Sequence, residues 1–480
     1  MARFNTPTVD RTKTVNLAGG EAYQEDPKLE FASILLTSFV QDQFYRAAKD
    51  TLARLSALMG VVPALFAAKA AIFARDEFGM RSISHVVAGE LTHSTKGEPW
   101  MRRFIKRVIV RPDDITEIVS YVLAKYGKPL PNALKRGIAD RLELFSEYQL
   151  AKYRSEGKAV SMVDVVNLTH PRSTVALSKL MRGELKSTET WEAKLSEAGK
   201  AEDKGEAKKQ AWAELLRENK LGYMALLRNI NNITKDAPEV VDVLCAQLQD
   251  EARIKKSRVL PFRFMSAFEA LDPVTVPREV VAALAAAMDI AVCNVPVLPG
   301  QTLVAVDVSG SMMPGFSLRY RAERSPIETA SVFAGALMRH QPLQTDIMLF
   351  STDATYLTVS PNADVLSTSQ LIRHFATGGG TDFKPIFARA GKAYDRIILL
   401  TDMQGWVGYN APTAAFEDYK RRTGANPHVF SLDLAGHGTL QFPQNRVYCL
   451  AGFSEKVFDI MALLEQDRNA LVARIEAVEL

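Results

Sequence analysis

The spacing of apolar residues changes once along this chain, at Val295-Pro296-Val297-Leu298-Pro299-Gly300, and the change divides it into two kinds of structure. Before it, apolar residues recur three and four apart over Leu29–Val40, Phe44–Leu58, Val61–Ala74, Asp113–Lys125, Asn132–Phe145 and Ala237–Leu248. That spacing puts them on one face of an α-helix. Helix breakers and caps interrupt the pattern at Gly60, Gly79, Pro112-Asp113-Asp114, Gly127, Pro129, Pro131 and Pro277. No strand-like alternation occurs between residues 28 and 292. Many helices of similar length joined by short breaks read as stacked helical hairpins, a HEAT-like solenoid, with a compact bundle as the alternative. The Lys-, Glu- and Ala-rich run from Lys186 to Lys220 reads as surface helices carrying ion pairs. Residues 1–27 show little periodicity and are expected to be irregular.

After the boundary, short apolar strands are expected at Leu303–Val306, Asp346–Phe350, Arg396–Leu400, Val429–Leu432 and Val447–Leu450. Helices are expected between them at Ile327–Arg339, Phe383–Lys392, Pro412–Arg422 and Glu455–Leu464. Wholly apolar strands alternating with helices imply a doubly wound, mostly parallel α/β sheet. The domain reading is therefore 1–27 irregular, 28–293 helical repeats and 298–480 α/β.

Composition bounds the function. At 480 residues, 47% apolar and 24% charged, the chain is long enough for at least two cores. No uncharged apolar window reaches the ~18 residues of a membrane span, and the N-terminus has no apolar core of a signal peptide. Cys245, Cys293 and Cys449 are widely spaced and read as ordinary buried thiols, in keeping with a reducing cytoplasm. From residue 298 on there are 16 Lys and Arg against 18 Asp and Glu, whereas residues 1–297 carry 43 against 37. The basic excess sits in the helical part and favours a polyanionic partner there.

Three short motifs stand at or near the carboxyl ends of expected strands or in a glycine-rich loop: Asp307-Val308-Ser309-Gly310-Ser311, Gly378-Gly379-Gly380-Thr381-Asp382 and Thr401-Asp402-Met403. Ligands of doubly wound sheets bind at that edge. Asp307, Ser309, Ser311, Thr381 and Asp402 would offer hard oxygen ligands suited to Mg²⁺ or another divalent cation. There is no GxxxxGK[ST] phosphate loop and no paired general base beside Asp307, so the reading is not an enzyme. The pattern matches the metal-ion-dependent adhesion site (MIDAS) of von Willebrand factor A domains. That resemblance implies an open coordination position for a carboxylate from a partner protein.

A second set of motifs lies in the helical part: Pro131-Asn132-Ala133-Leu134-Lys135-Arg136, Lys152-Tyr153-Arg154, Met162 through Leu168-Thr169-His170-Pro171, Leu226-Leu227-Arg228-Asn229-Ile230 and Arg258-Val259-Leu260-Pro261-Phe262-Arg263. These runs, and their order ahead of an A-type domain, resemble the TROVE-domain family of Ro ribonucleoproteins. The resemblance implies a helical-repeat ring held shut by the A domain. It implies Y-like small noncoding RNA on the outside of the ring and single-stranded 3′ ends of misfolded RNA in its opening. The family's histidine falls on His170 and its lysine on Lys152. Its arginine is placed at Arg154, with spacing that differs by about a residue. Lys135 and Arg136 are expected to line the same face. An exoribonuclease or RNA-repair proteins would be partners of such a scaffold, which is read as monomeric and cytoplasmic. The reading from another class is a metal-dependent adaptor whose solenoid binds peptides.

Overall fold

The computed structural model describes residues 13–15, 21–37, 48–153, 159–185, 190–313, 325–376, 378–403, 412–434, 439–440, 446–451, 456–467 and 469–480. Two short strands come first, β1 (Lys13–Val15) and β2 (Glu21–Gln24), within the segment expected to be irregular. The first helices are α1 (Pro27–Thr37), α2 (Ala48–Met59), α3 (Ala64–Asp76), α4 (Ser82–Ser94), α5 (Met101–Val108), α6 (Pro112–Tyr126), α7 (Asn132–Leu142), α8 (Glu147–Lys152), α9 (Met162–Thr169) and α10 (Val175–Arg182). They continue as α11 (Trp191–Ala198), α12 (Lys204–Arg217), α13 (Tyr223–Arg228), α14 (Ile230–Asp236), α15 (Val241–Leu248), α16 (Glu251–Ser257), α17 (Pro261–Glu269) and α18 (Arg278–Ile290). The α/β part follows as β3 (Thr302–Asp307), α19 (Pro326–His340), β4 (Thr345–Phe350), β5 (Ala354–Leu357), α20 (Val365–His374), α21 (Lys384–Arg389), β6 (Arg396–Thr401) and α22 (Thr413–Thr423). It ends with β7 (His428–Asp433), β8 (Thr439–Leu440), β9 (Val447–Ala451), α23 (Val457–Gln466) and α24 (Ala470–Glu476). A helix-rich region followed by a mixed, mainly parallel sheet is the architecture the sequence implied. No helix among the described residues is long and apolar enough to cross a membrane.

Two compact units share these elements, and neither is one continuous stretch. One comprises Asp26–Thr190 with Gln466–Leu480, and the other Met1–Glu25 with Trp191–Glu465. The last helix, expected to belong to the α/β domain, instead packs on α1 and α3. Leu471 and Ile475 are buried there, and Lys28 pairs with Glu476.

The first unit is organised around one buried carboxylate. Pro112 at the first helical position starts α6, and Asp114 accepts the backbone N–H groups of Val110 (2.9 Å) and Arg111 (2.8 Å). The same carboxylate pairs with Arg75 of α3 at 2.9 Å and Arg81 at 2.8 Å, while His85 Nε2 of α4 lies 3.2 Å away. His85 Nδ1 is 2.8 Å from Glu117, and Arg81 also reaches Asp113 at 2.6 Å. A buried charge persists only when neighbours satisfy it, and here three helices supply them. Burial works against both ions, yet the partners win: His85 is raised above its ordinary range and Asp114 is held well below the usual carboxylate range.

In the second unit the six-stranded sheet runs β5-β4-β3-β6-β7-β9, parallel except for β5. Strands β3 and β6 are buried along their whole length, which explains the apolar runs Leu303–Val306 and Ile397–Leu400 within them. One face carries Leu303, Ala305, Ile397 and Leu399 against Phe387, Phe416 and Tyr419 of α21 and α22. On α19 and α23, Phe333 and Phe458 stack with ring centroids 5.0 Å apart. The antiparallel edge strand β5 and helix α20 were not expected. The first is four half-polar residues, too short to carry a period. Of the cysteines, Cys449 is buried as expected, but Cys293 is exposed and Cys245 half-buried.

The His85 cluster makes stability depend on pH with a definite sign. A raised folded pKa adds stability that is complete below the unfolded value of about 6.5 and is lost as pH rises through the folded value. The thermal midpoint of the wild type should therefore fall from about pH 6 upward more steeply than that of His85→Gln, because only the wild type loses that proton.

Candidate nucleic-acid interface and metal centre

Helix α5 reads Met-Arg-Arg-Phe-Ile-Lys-Arg-Val, and its two kinds of residue separate completely. Met101, Phe104, Ile105 and Val108 are buried, while Arg102, Arg103, Lys106 and Arg107 are exposed. Helix α7 lies against it, and Gly137 makes the close approach possible. A Cβ at Gly137 would stand 2.6 Å from Ile105 Cβ and 2.9 Å from the Arg102 carbonyl oxygen. On α7 the core takes Leu134, Ile138 and Leu142, which turns Arg136 and Asp140 outward, one turn apart. Asp140 is gripped by Arg102 through two bonds of 2.6 and 2.7 Å. That pairing first, then the charges of Lys106 and Arg172, hold its carboxyl below the ordinary range. One acid thus sits among cations from α5, from α7 and from the loop after α9.

That loop holds His170. Ser161 and Asp164 form a capping box that starts α9, and His170 ends it in a left-handed conformation, φ 48°. A branched or bulky residue at positive φ costs energy, so glycine or asparagine is the usual choice there. The imidazole is exposed, and the loop is tied to the end of α7 by the Arg172 N–H donating to Glu143 at 3.0 Å. Lys152 ends α8 and is exposed, its ammonium 5.7 Å from the Tyr153 ring centroid and 6.0 Å from that of Tyr148. Helix α8 is fixed to α10 by Lys179 and Glu147 at 2.6 Å. Lys135 is half-buried and Arg136 exposed, and neither makes an ion pair among the described residues. Lys152 and His170 are not hydrogen-bonded to each other. Arg154 lies outside the described residues. The basic face of α5 and Arg172 were missed in the sequence, although the apolar spacing of residues 101–108 with four intervening cations was a readable signal.

The metal-type edge forms in the second unit. Asp307 ends β3 wholly buried; its Oδ1 accepts the Ser309 N–H at 2.9 Å and its Oδ2 the Thr401 hydroxyl at 2.7 Å. The Ser309 and Ser311 hydroxyls are 3.2 Å apart. Gly378 and Gly379 adopt φ +83° and +104°, which lets their loop close on the first one. Gly378 N–H donates to Val308 O at 3.1 Å, Gly310 N–H to Gly379 O at 3.0 Å, and Asp382 N–H to Ser351 O at 2.8 Å. Thr381 and Asp402 are buried on the same edge. Burial first and the Asp402 charge second push the Asp307 carboxyl up to about 7, against its bonds from Ser309 and Thr401. Two carboxylates buried together, with neutral donors on Asp307 and hydroxyls around them, suit a hard divalent cation. Among the described residues no three His, Cys, Asp or Glu side chains gather as a metal site, so this edge would rely on two carboxylates and its hydroxyls. Thr401, which orients Asp307, was not singled out as a ligand or positioning residue in the sequence.

A helix-rich region bearing an exposed basic face, followed by an A-type sheet with a hydroxyl and carboxylate edge, defines a class of two-part proteins. The TROVE domain model matches residues 38–187 and 180–279, and the Ro60 vWA domain model matches residues 301–463. The chain belongs to the TROVE, or Ro, family. It is 26% identical over 260 residues to the RNA-binding protein RO60 of Deinococcus radiodurans, covering 50% of this chain and 48% of that protein. It is 24% identical over 297 residues to telomerase protein component 1 of Rattus norvegicus, covering 43% of this chain and 11% of that protein. The chain thus spans about half, or far less, of the length of these curated relatives. The crystal structure of the Deinococcus radiodurans RO (RSR) protein superposes with a TM-score of 0.62 at 18% identity, over 95% of this chain and all of that one, which shows a shared fold.

The α5–α7 contact is the test of how the basic face is built. Gly137→Ala should destabilise the protein by about 1–3 kcal/mol, the cost of overpacking, as read from urea unfolding midpoints at unchanged slope.

Proposed function

We propose that this protein is a noncatalytic RNA-binding scaffold of a small ribonucleoprotein. Its ligands are a Y-like noncoding RNA and the single-stranded 3′ ends of misfolded RNA, and its role is RNA quality control or processing. The observation that carries the reading is the group of cations on α5, α7 and the His170 loop, Arg102, Lys106, Arg136 and Arg172, with Asp140 and Glu143 as the acids among them in the described residues. Membership of a family that includes a protein named as RNA-binding supports it. Such a surface neutralises phosphates and releases counterions, so affinity falls as salt rises. His170 is held out by a strained backbone, where its ring can stack on a base or donate to a phosphate. Lys152, Lys135 and Arg136 supply further phosphate contacts.

The oxygen-lined edge is read as the docking point for a protein. Asp307, Ser309, Ser311, Thr381 and Asp402 would hold Mg²⁺, and Thr401 would orient Asp307 toward it. When bound, the ion supplies a positive centre for a carboxylate from a partner, such as an exoribonuclease or an RNA-repair protein.

Two outcomes check this. His170→Ser with Lys152→Ala should weaken binding of a structured small RNA more than about tenfold at moderate salt, a loss of about 1.4 kcal/mol. Undiminished retention in a filter assay rejects the interface. Asp307→Ala should keep RNA affinity and fold, yet lose the rise in thermal midpoint that Mg²⁺ gives the wild type; an equal rise in both removes the metal reading.

A further inference from the structure

The described residues around Lys152 form a ladder that phosphate binding alone does not require. Arg111 Cζ lies 4.8 Å over the Tyr153 ring. Lys152 Nζ lies 5.7 Å over that ring and 6.0 Å over the ring of Tyr148. Cation and aromatic therefore alternate as Arg111, Tyr153, Lys152, Tyr148. The lower end is fixed. The Arg111 guanidinium binds both oxygens of Asp113, at 3.1 and 2.9 Å, and the backbone N–H of Arg111 binds Asp114. The upper end is open, since Tyr148 is 56% exposed. Helix α8, which carries it, is capped by Ser146 and Gln149 and tied to α10 through Glu147. An exposed tyrosine on a pinned helix, with a cation one turn away, loses little entropy when a flat ring covers it.

We propose that Tyr148 is a stacking platform for an unpaired RNA base, with Lys152 beside it on the flanking phosphate. The proposal rests on the reading that Lys152 belongs to the RNA interface, and it narrows the ligand at that point to single-stranded RNA. A fully paired helix keeps its bases stacked on one another and leaves only the outer faces of its two end pairs to Tyr148. An unpaired base has a free π-face, and cationic neighbours hold its backbone.

The experiment measures binding of oligoadenylate and of a blunt-ended RNA duplex to the full chain. The stacking contact predicts that Tyr148→Ala weakens oligoadenylate binding by about 5- to 150-fold. The duplex should change by no more than about twofold, as for an ordinary surface substitution. Tyr148→Phe should keep wild-type affinity, because the ring and not the hydroxyl does the stacking. In Tyr148→Trp, oligoadenylate should quench the added emission. Unchanged oligoadenylate affinity in Tyr148→Ala, with weakened binding in Lys152→Ala, overturns the stacking role and leaves the interface standing. Equal loss on both RNAs overturns it as well, by making Tyr148 a support for α8. No effect from Tyr148, Lys152 or His170 substitutions ends the RNA reading and this inference with it.

Discussion

The Asp114 carboxylate is the interaction on which the helical unit depends. It sits wholly buried between α3, α4 and α6, where an unpaired charge would be intolerable. Arg75, Arg81, His85 and two backbone N–H groups at the start of α6 all converge on it. Its reach extends to the surface. It binds the backbone N–H of Arg111, whose guanidinium, held by Asp113, lies over the ring of Tyr153 beside Lys152. A core ion cluster thus connects to an exterior cation through a chain of contacts that never leaves the unit.

The large pattern of the fold was legible because it is periodic. Helical spacing before residue 295 and uninterrupted apolar strands after it need no tertiary knowledge. The gathering of Asp307, Ser309, Ser311, Thr381 and Asp402 on one sheet edge was legible too, since they stand at strand ends and in a glycine-rich loop, where turn chemistry leaves a local signature. Illegible features were those decided by partners distant in sequence. Thr401 looks like any strand residue until Asp307 is seen to accept its hydroxyl. Residues 470–476 carry a helical pattern that fits either unit, and only their packing on α1 and α3 assigns them. Gly137 gives no sign in the sequence that Ile105 lies beneath it.

The two candidate surfaces obey different electrostatics. The face built on α5 and α7 is cationic and exposed, so ions in solution screen it and its attraction is long in range but salt-sensitive. The sheet edge is anionic and buried, so its charges act over a short distance in a poorly screened setting. Each lies in its own compact unit, which lets one be altered by substitution without passing through the core of the other.

The placement of α24 has a consequence for how the chain acquires its shape on the ribosome. Helices α1 and α3 are made early, yet the helix that covers them is made after the entire second unit. Their apolar sides must wait, solvated or guarded by chaperones, until Leu471 and Ile475 emerge. Contacts so far apart in sequence close slowly. The helical unit, most of which is made before residue 191, is therefore closed only after the other, and nascent chains halted before residue 470 would carry an unsealed seam.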